Sequence, residues 1–206
     1  MMLDLHIHTK YSKDCNLEPG DILKAAREKG LGGIGIADHD TIRGAVETER
    51  LSKDIEVIKG AEIKTDRGEV IGYFIEEEIT ARDFWEVAEE IRSQGGIVCI
   101  PHPFDIFRIN RLRLTRDMLK AIDCVEVFNS RCVIRRLNEK ARRFAEENGL
   151  AKTAGSDAHF LSEIGTSGVM VDAVDDIRNL ENIEVFGEGV SILNLLVTKV
   201  NKMLGR

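Results

Sequence analysis

A largely parallel α/β arrangement is the fold class that the sequence predicts, and three observations predict it. Segments of strand character alternate with helical segments along most of the chain. All five histidines fall in or just past an expected strand, where an α/β barrel would gather them on one rim. At 206 residues and 43% hydrophobic content, the chain is long enough for one domain around a single core. The open doubly wound sheet is the main rival to a barrel. Its dinucleotide-binding form lacks its fingerprint here, because no Gly-x-Gly-x-x-Gly stands between a strand and a helix, and Gly30 to Gly35 precedes a strand instead.

Met2 to Thr9 opens the chain as a strand in which His6 and His8, two residues apart, point to one side while Leu3, Leu5 and Ile7 face the other. A polar loop containing Asp14 follows. Pro19 then opens a helix to about Lys29 with Gly30 as its stop. Gly33 to Ala37 is an apolar strand ending at Asp38-His39-Asp40, and Thr41 is placed to cap a helix reaching about Lys53. Val57–Thr65 and Glu69–Ile75 read as strands joined by an Asp66-Arg67-Gly68 turn. Thr80 and Asp83 resemble a capping box for a helix over Ala81–Ser93, closed by Gly95-Gly96. Ile97–Ile100 is a buried strand ending at Pro101-His102-Pro103, followed by an arginine-rich loop.

A helix from about Thr115 to Ile122 leads to the strand Cys124–Phe128, and a basic helix covers about Val133–Asn148. Ala151–Ala154 is a strand ending at Ser156-Asp157-Ala158-His159. Gly168–Val171 and Ile183–Phe186 are expected as late strands, and the amphipathic run Ile192–Leu204 as a terminal helix. No internal repeat or low-complexity linker interrupts the series.

Composition excludes several function classes. No apolar run approaches the roughly 18 to 20 residues of a membrane span, and the chain starts on a strand rather than a secretory leader, so a cytoplasmic protein with no membrane partner is expected. Cys15, Cys99, Cys124 and Cys132 have no Cys-x-x-Cys spacing and suit reduced thiols. A net charge of −7 argues against stable duplex DNA binding while permitting a local basic pocket. Neither a Gly-x-Ser-x-Gly elbow nor a Walker A loop is present, so serine acyl transfer and P-loop triphosphate hydrolysis lose support. Oligomeric state is left open.

Histidines at strand ends, together with Asp14, Glu62, Glu69 and Asp157, form the mixed imidazole and carboxylate set expected for Zn, Mn or Fe rather than for a cysteine-bound structural zinc. The ordered elements Asp4-Leu-His-Ile-His-Thr9, Asp38-His-Asp40, Gly60-Ala-Glu62, Pro101-His-Pro103 and Gly155-Ser-Asp-Ala-His159 resemble the PHP (polymerase and histidinol phosphatase) family from residue 4 to about residue 165. The resemblance implies a distorted (β/α)7 barrel with two or three divalent metals (Mn, Zn or Fe), hydrolysing phosphoesters. It also implies that His6, His8, Glu62 and Asp157 hold one metal, that Glu62 bridges to a second bound by His102, and that Asp14, His39 and His159 hold a third. Glu69 stands where many members place a histidine, so it is expected as a further ligand of the second metal. The His8–Asp14 loop is one residue longer than in similar small members; Asp14 is kept as ligand and Cys15 is not. Asp4 and Asp38 are expected to orient imidazoles. Glu126 is ambiguous between a site acid and a structural one.

The mechanism implied is attack by a metal-activated water on phosphorus, with His39 or His159 supplying the leaving-group proton and Asp38 or Asp40 setting the tautomer. The expected substrate is a phosphorylated small molecule, a nucleotide or a short oligonucleotide. Two other classes compete: a noncatalytic regulatory or interaction domain, disfavoured because every main ligand position is competent, and a metal-dependent amidohydrolase, which phosphate-binding arginines would separate. Arg108, Arg111, Arg113 and Arg116 follow the His102 strand, and Arg131, Arg135 and Arg136 follow the Glu126 strand. Arg131, just past a strand end, is the first choice to reach substrate, and Arg108 the second.

Overall fold

The computed structural model describes residues 1–190 together with Asn194, Val197 and Thr198. Its parallel strands are β1 (Met2–Ile7), β2 (Gly33–His39), β3 (Glu56–Thr65), β5 (Ile97–Ile100), β6 (Cys124–Asn129) and β7 (Ala151–Gly155). Three strands run antiparallel to their neighbours: β4 (Gly68–Tyr73), β8 (Ser167–Met170) and β9 (Glu184–Gly187). Helices α1 (Pro19–Glu28), α2 (Arg43–Leu51), α3 (Phe84–Ser93), α4 (Arg135–Glu147) and α5 (Val174–Asn179) lie between them. The sheet order is β7-β6-β5-β4-β3-β2-β1-β8-β9. The antiparallel β4 follows from its connection, since a tight turn after Thr65 leaves no room for the crossover that a parallel neighbour needs.

The sheet rolls into a nearly closed barrel, and β1 divides one edge between two neighbours. Its first residues pair with β8 through Met2↔Met170 and Leu3↔Val169. Its last residues meet the segment beyond β7, where the His8 amide donates to the Ala158 carbonyl (3.1 Å) and the Ala158 amide to the His6 carbonyl (3.3 Å). A glycine is needed where β7 approaches: a Cβ on Gly155 would lie 2.3 Å from His6 Cβ. This closure brings the first and last elements of the metal-like motif together.

Two register shifts aim the side chains. Asp4 pairs with Ile34 and Ile7 with Ile36, so β1 carries one residue more than β2 over this stretch. The strict alternation expected for Leu3, Leu5 and Ile7 therefore fails. Leu3 and Leu5 pack in a cluster with Ile71, Cys99 and Ala154, whereas Ile7 packs with Ile22, Leu23 and Ile36. In β6, Glu126 opposes Thr153 and Phe128 opposes Ala154, which leaves Val127 as the extra residue. An odd separation would otherwise put Glu126 and Asn129 on opposite faces; the bulge brings their side chains within a hydrogen bond of each other (3.0 Å).

Local expectations are corrected at several points. Helix α2 starts at Arg43 with Ile42 as its cap, and Thr41 instead accepts from the Arg43 amide and donates to Glu78. Helix α3 starts at Phe84 because Asp83 itself caps it, accepting from the Trp85 and Glu86 amides; Thr80 lies outside and gives its amide to Glu90. Thr115–Ile122 is too short to hold an isolated α-helix, and only Met118–Ala121 forms a 3-10 turn. Helix α5 and the 3-10 turn Leu161–Glu163 had no sequence signal strong enough to be read. The expected terminal helix falls almost entirely outside the described residues; Asn194, Val197 and Thr198 are helical. Among the described residues, no helix is long and apolar enough to cross a membrane.

The helices cover the sheet through three apolar clusters. Ile22 and Ala26 of α1 pack with Ile34 and Ile36 of β2, and Phe84, Val87 and Ile91 of α3 pack with Val98 and Ile100 of β5. Each fully buried isoleucine or phenylalanine contributes about 1.5–3 kcal/mol, so these faces fix the strands whose polar ends form the rim.

Candidate metal centre

The parallel strands end on one rim of the barrel, and the antiparallel β4 begins there. The rim thus receives His6 and His8 from β1, His39 and Glu62 as a cross-strand pair of β2 and β3, Glu69 from the start of β4, and His102 after β5. Glu126 and Asn129 come from β6, and Asp157 and His159 follow β7. His102 (φ 29°) and Asp157 (φ 57°) hold left-handed backbone that non-glycine residues rarely adopt, a strain of about 1–3 kcal/mol each that is concentrated at such sites.

All nine ligand-type residues named from the sequence meet here. His6 Nε2 and His8 Nε2 are 3.2 Å apart, and Asp157 Oδ1 lies 3.3 Å from His8 Nε2 and 3.9 Å from His6 Nε2. Glu62 spans two groups: Oε2 is 3.0 Å from His39 Nδ1, 3.7 Å from His8 Nε2 and 3.8 Å from His6 Nε2, while Oε1 is 2.8 Å from His102 Nε2. Asp14 lies 3.5 Å from both His39 Nε2 and His159 Nε2. Among the described residues, donor atoms within 4.8 Å of one another form three sets: His6, His8 and Asp157; Glu62, Glu69 and His102; and His8, His39 and His159. Glu69 is buried, accepts from Asn110 Nδ2 (2.9 Å) and is no exposed turn carboxylate.

The imidazoles are held by their far nitrogens. His6 Nδ1 donates to Glu126 Oε1 (2.9 Å), His8 Nδ1 to Ser12 Oγ (3.0 Å), and His159 Nδ1 to the Asp157 carbonyl (2.8 Å). With their Nδ1 atoms so engaged, His6 and His8 turn their Nε2 atoms toward each other at 3.2 Å, a hydrogen-bonding distance when one of the two carries a proton. Glu62 Oε2 and Asp157 Oδ1 are buried beside them and accept no hydrogen bond. Two imidazole Nε2 atoms and two buried carboxylate oxygens without hydrogen bonds converge on one spot, an arrangement that fits a cation.

The buried carboxylates favour positive charge here, whether as protons on the imidazoles or as an ion between them. Burial opposes charge on His6, yet Glu126 and Asp157 overcome it and raise its pKa well above the ordinary value. His39 is raised to about 10 against its burial by Glu62 and Asp14. His8 is lowered to about 3 by burial and by the neighbouring His159. Burial disfavours ionised Glu62 and Asp157, but His39 and His102 for the first, and Arg108 and His6 for the second, hold both well below the carboxylate range. Glu69 is raised by burial and by the charge of Glu62. Burial pushes the Cys15 thiol up to about 12, and its Sγ turns to the His8 carbonyl, away from metal chemistry.

Some supporting roles differ from expectation. Asp4 touches no imidazole ring; it accepts the backbone amides of His6, Ser156 and Gly165, tying β1 to the loops after β7. Asp38 acts through Ser12, whose hydroxyl donates to Asp38 Oδ1 (2.7 Å) while receiving His8 Nδ1. It therefore sets the tautomer of His8 rather than that of His39 or His159. Asp40 turns away to the Lys64 amide and Arg82. Arg108 reaches Asp157 Oδ2, and Arg131 is buried with Nη1 donating to Glu163 Oε2 (2.8 Å).

Three residues escaped the sequence reading. Asn129 Nδ2 donates to Glu126 Oε2 (3.0 Å) and Asp157 Oδ2 (3.2 Å), locking the carboxylate oxygen opposite the one that faces the imidazoles. Ser12 connects Asp38 to His8, and Glu163 joins Arg131 to the His159 amide (2.9 Å). Asn129 sits beside Arg131 at a strand end, and that position was its one available signal.

Comparison with known proteins follows the same lines. The chain is 36% identical over 215 residues to the uncharacterized protein MJ0417 of Methanocaldococcus jannaschii, across 99% of this chain and 82% of that protein. A shorter match, 40% identical over 65 residues, links 31% of this chain to 23% of a 5'-3' exoribonuclease of Haemophilus influenzae. Its fold superposes with a TM-score of 0.76 at 17% identity on a two-domain Bacteroides vulgatus protein containing a predicted PHP-like metal-dependent phosphoesterase, covering 98% of this chain and 69% of that one. The model of the PHP domain matches residues 4–148, and that of the PHP-associated region matches residues 135–183. With a nearly closed α/β barrel and its histidines and acids gathered on one rim, the chain belongs to the PHP domain family.

Proposed function

We propose that this rim hydrolyses a phosphoester, either a phosphomonoester of a small metabolite or a phosphoester of a nucleotide or short oligonucleotide, with water as nucleophile. The reading is carried by Glu62 Oε2 and Asp157 Oδ1, buried without hydrogen bonds beside the facing Nε2 atoms of His6 and His8. His6, His8, Glu62 and Asp157 would hold one divalent transition-metal ion (Mn, Zn or Fe). Glu62, Glu69 and His102 would hold a second, and Asp14, His39 and His159 a third. Bound there, the ions supply a water of lowered pKa and charge compensation for phosphate oxygens.

The chain's own residues do the remaining work. Glu126 and Ser12 keep the Nδ1 protons of His6 and His8 turned outward, and Asn129 keeps Asp157 aligned. Arg108, its side chain 23% exposed, stands where its guanidinium can pass from Asp157 Oδ2 to a nonbridging phosphate oxygen. Arg131, steadied by Glu163 through one nitrogen, would give its others to a phosphate oxygen that reaches past the strand end. When the third ion is not bound, His39, with a side chain 20% exposed, is positioned to hand a proton to a leaving alkoxide, and the more buried His159 is the other candidate. The guanidinium beside Asp157 favours phosphate over an amide, and the resemblance to an exoribonuclease favours the nucleotide side of the substrate range.

Purified protein is expected to carry two or three Mn, Zn or Fe ions per chain, with phosphoesterase activity lost on exhaustive chelation and restored by metal. Elemental analysis finding less than one ion per chain, with activity indifferent to chelator, overturns the reading. Arg108→Ala is expected to lower kcat/KM by roughly 30- to 1000-fold, as for loss of one preorganised donor, with metal content kept. Arg108→Lys restores charge but not the planar fork and is expected to recover only part. Parent kinetics in Arg108→Ala would remove this residue from the site.

A further inference from the structure

Positive charge is unevenly spread over this chain. Residues 108–143 carry eleven Arg and Lys against four Asp and Glu, within a chain whose net charge is −7. Elsewhere some cations are engaged, Lys10 with Glu18 and Glu47, Arg27 with Asp54, Lys59 with Glu49 and Lys152 with Glu146, and the exposed ones outside these pairs, among them Lys13, Lys24, Lys53 and Lys64, are spread along the chain. On α4, by contrast, Arg135, Arg136, Lys140 and Arg143 are exposed, and among the described residues none of them forms an ion pair. Four unpaired cations on one helix of an otherwise acidic chain concentrate a local positive field, and such a field attracts an anion from outside.

Their position ties them to the metal centre. Arg136, Lys140 and Arg143 recur at helical spacing and so share one face of α4. Lys140 Nζ lies 4.3 Å over the Phe104 ring, and Phe104 meets Phe144 edge-on at 5.6 Å. The face therefore abuts the segment after His102, which delivers Arg108 to Asp157. Helix α4 begins just beyond β6, whose last residue, Asn129, touches Asp157, and its 13 residues extend about 20 Å from the rim. Ile106, Ile109 and Val133 are exposed beside this path and offer apolar surface to bases.

Resting on the phosphoesterase reading above, we propose that the α4 face carrying Arg136, Lys140 and Arg143 tracks the backbone of a single-stranded oligonucleotide whose reacting phosphate lies at the metal centre. Contacts to successive phosphates are independent of sequence and strongly dependent on salt. A single strand fits better than a duplex, because the reacting phosphate must reach side chains that are almost fully buried. The strongly acidic remainder of the chain repels a polyanion and leaves this route open.

The test uses full-length, metal-replete protein and the variant Arg136→Glu, Lys140→Glu, Arg143→Glu. Anisotropy of labelled single strands of two, four and eight nucleotides is measured across salt, alongside turnover of p-nitrophenyl phosphate. Parent affinity is expected to rise with strand length. The variant is expected to lose roughly ten- to hundredfold of its eight-mer affinity and about 2 from the slope of log K against log salt, with p-nitrophenyl phosphate turnover unchanged. Arg136→Gln with Arg143→Gln, which retains helix formers, is expected to lower the slope by about 1.4, separating loss of charge from loss of α4.

Equal parent affinity for two-mer and eight-mer, or unchanged eight-mer affinity in the variant, overturns the proposal. So does binding to anionic phospholipid vesicles that the reversal abolishes while strand length has no effect. Length-dependent strand binding in a protein that hydrolyses no phosphoester supports the surface and sinks the phosphoesterase reading instead.

Discussion

Glu62→Ala and Asp157→Ala are each expected to lower kcat/KM by about 10³-fold or more, while Asp14→Ala loses only about 10- to 100-fold. The ordering follows from how many partners each carboxylate organises. Glu62 lies within 3.8 Å of four imidazoles, those of His6, His8, His39 and His102, so its loss disconnects two proposed ion sites. Asp157 faces His6, His8 and His159 through one oxygen and takes Arg108 and Asn129 on the other. Asp14 lies 3.5 Å from both His39 and His159, at the side of the rim proposed for the third ion. Metal content should track activity: Glu62→Ala and Asp157→Ala are expected to lose the paired ions, and Asp14→Ala at most one. Equal activity losses in all three, with metal content matched to the parent, would contradict this ordering.

The histidines were legible because they are rare and fall at strand ends, and the rim gathers all five with Asp14, Glu62, Glu69 and Asp157. Glu69 was harder to read, since it begins a strand rather than ending one; it reaches the rim because β4 is antiparallel. The residues that hold the ligands in place were not legible. Asn129 shares a face with Glu126 only because Val127 is an extra residue in β6, and a bulge leaves no mark in an apolar strand sequence. Ser12 and Glu163 are ordinary polar residues whose roles arise from chain closure over long separations. Asp4 shows the converse: its place beside His6 pointed to an imidazole, but three backbone amides claim it first, and burial still pushes its pKa up to about 6. The expectation of largely parallel strands holds, with β4, β8 and β9 as the exceptions; for β4 the tight turn after Thr65 leaves no room for a crossover.

Arg131 is expected to serve both stability and catalysis, and the two can be separated. Its guanidinium and the Glu163 carboxylate form a pair with side chains only 5% and 2% exposed. Arg131→Ala strands the carboxylate, and removing one partner of a buried pair costs about 3–5 kcal/mol, or roughly 6–20 °C in Tm for a chain of this size. His159, whose amide donates to the same Glu163 oxygen, is expected to loosen with it. If the free guanidinium nitrogens also contact a phosphate oxygen, a further loss of about 2–4 kcal/mol in transition-state stabilisation is expected, roughly 30- to 1000-fold in kcat/KM. Arg131→Met combined with Glu163→Gln removes the buried charges together, keeps an acceptor for the His159 amide, and is expected to recover most of the lost Tm. Activity is not expected to return with it, because Met offers no donor to phosphate. If Arg131 reads a second phosphate group, the loss should be smaller on a monophosphate than on a 3′,5′-bisphosphorylated nucleotide; a uniform loss places it at the reacting phosphorus. A double variant that regains both Tm and kcat/KM on every phosphoester would show that Arg131 is only the counter-ion of Glu163.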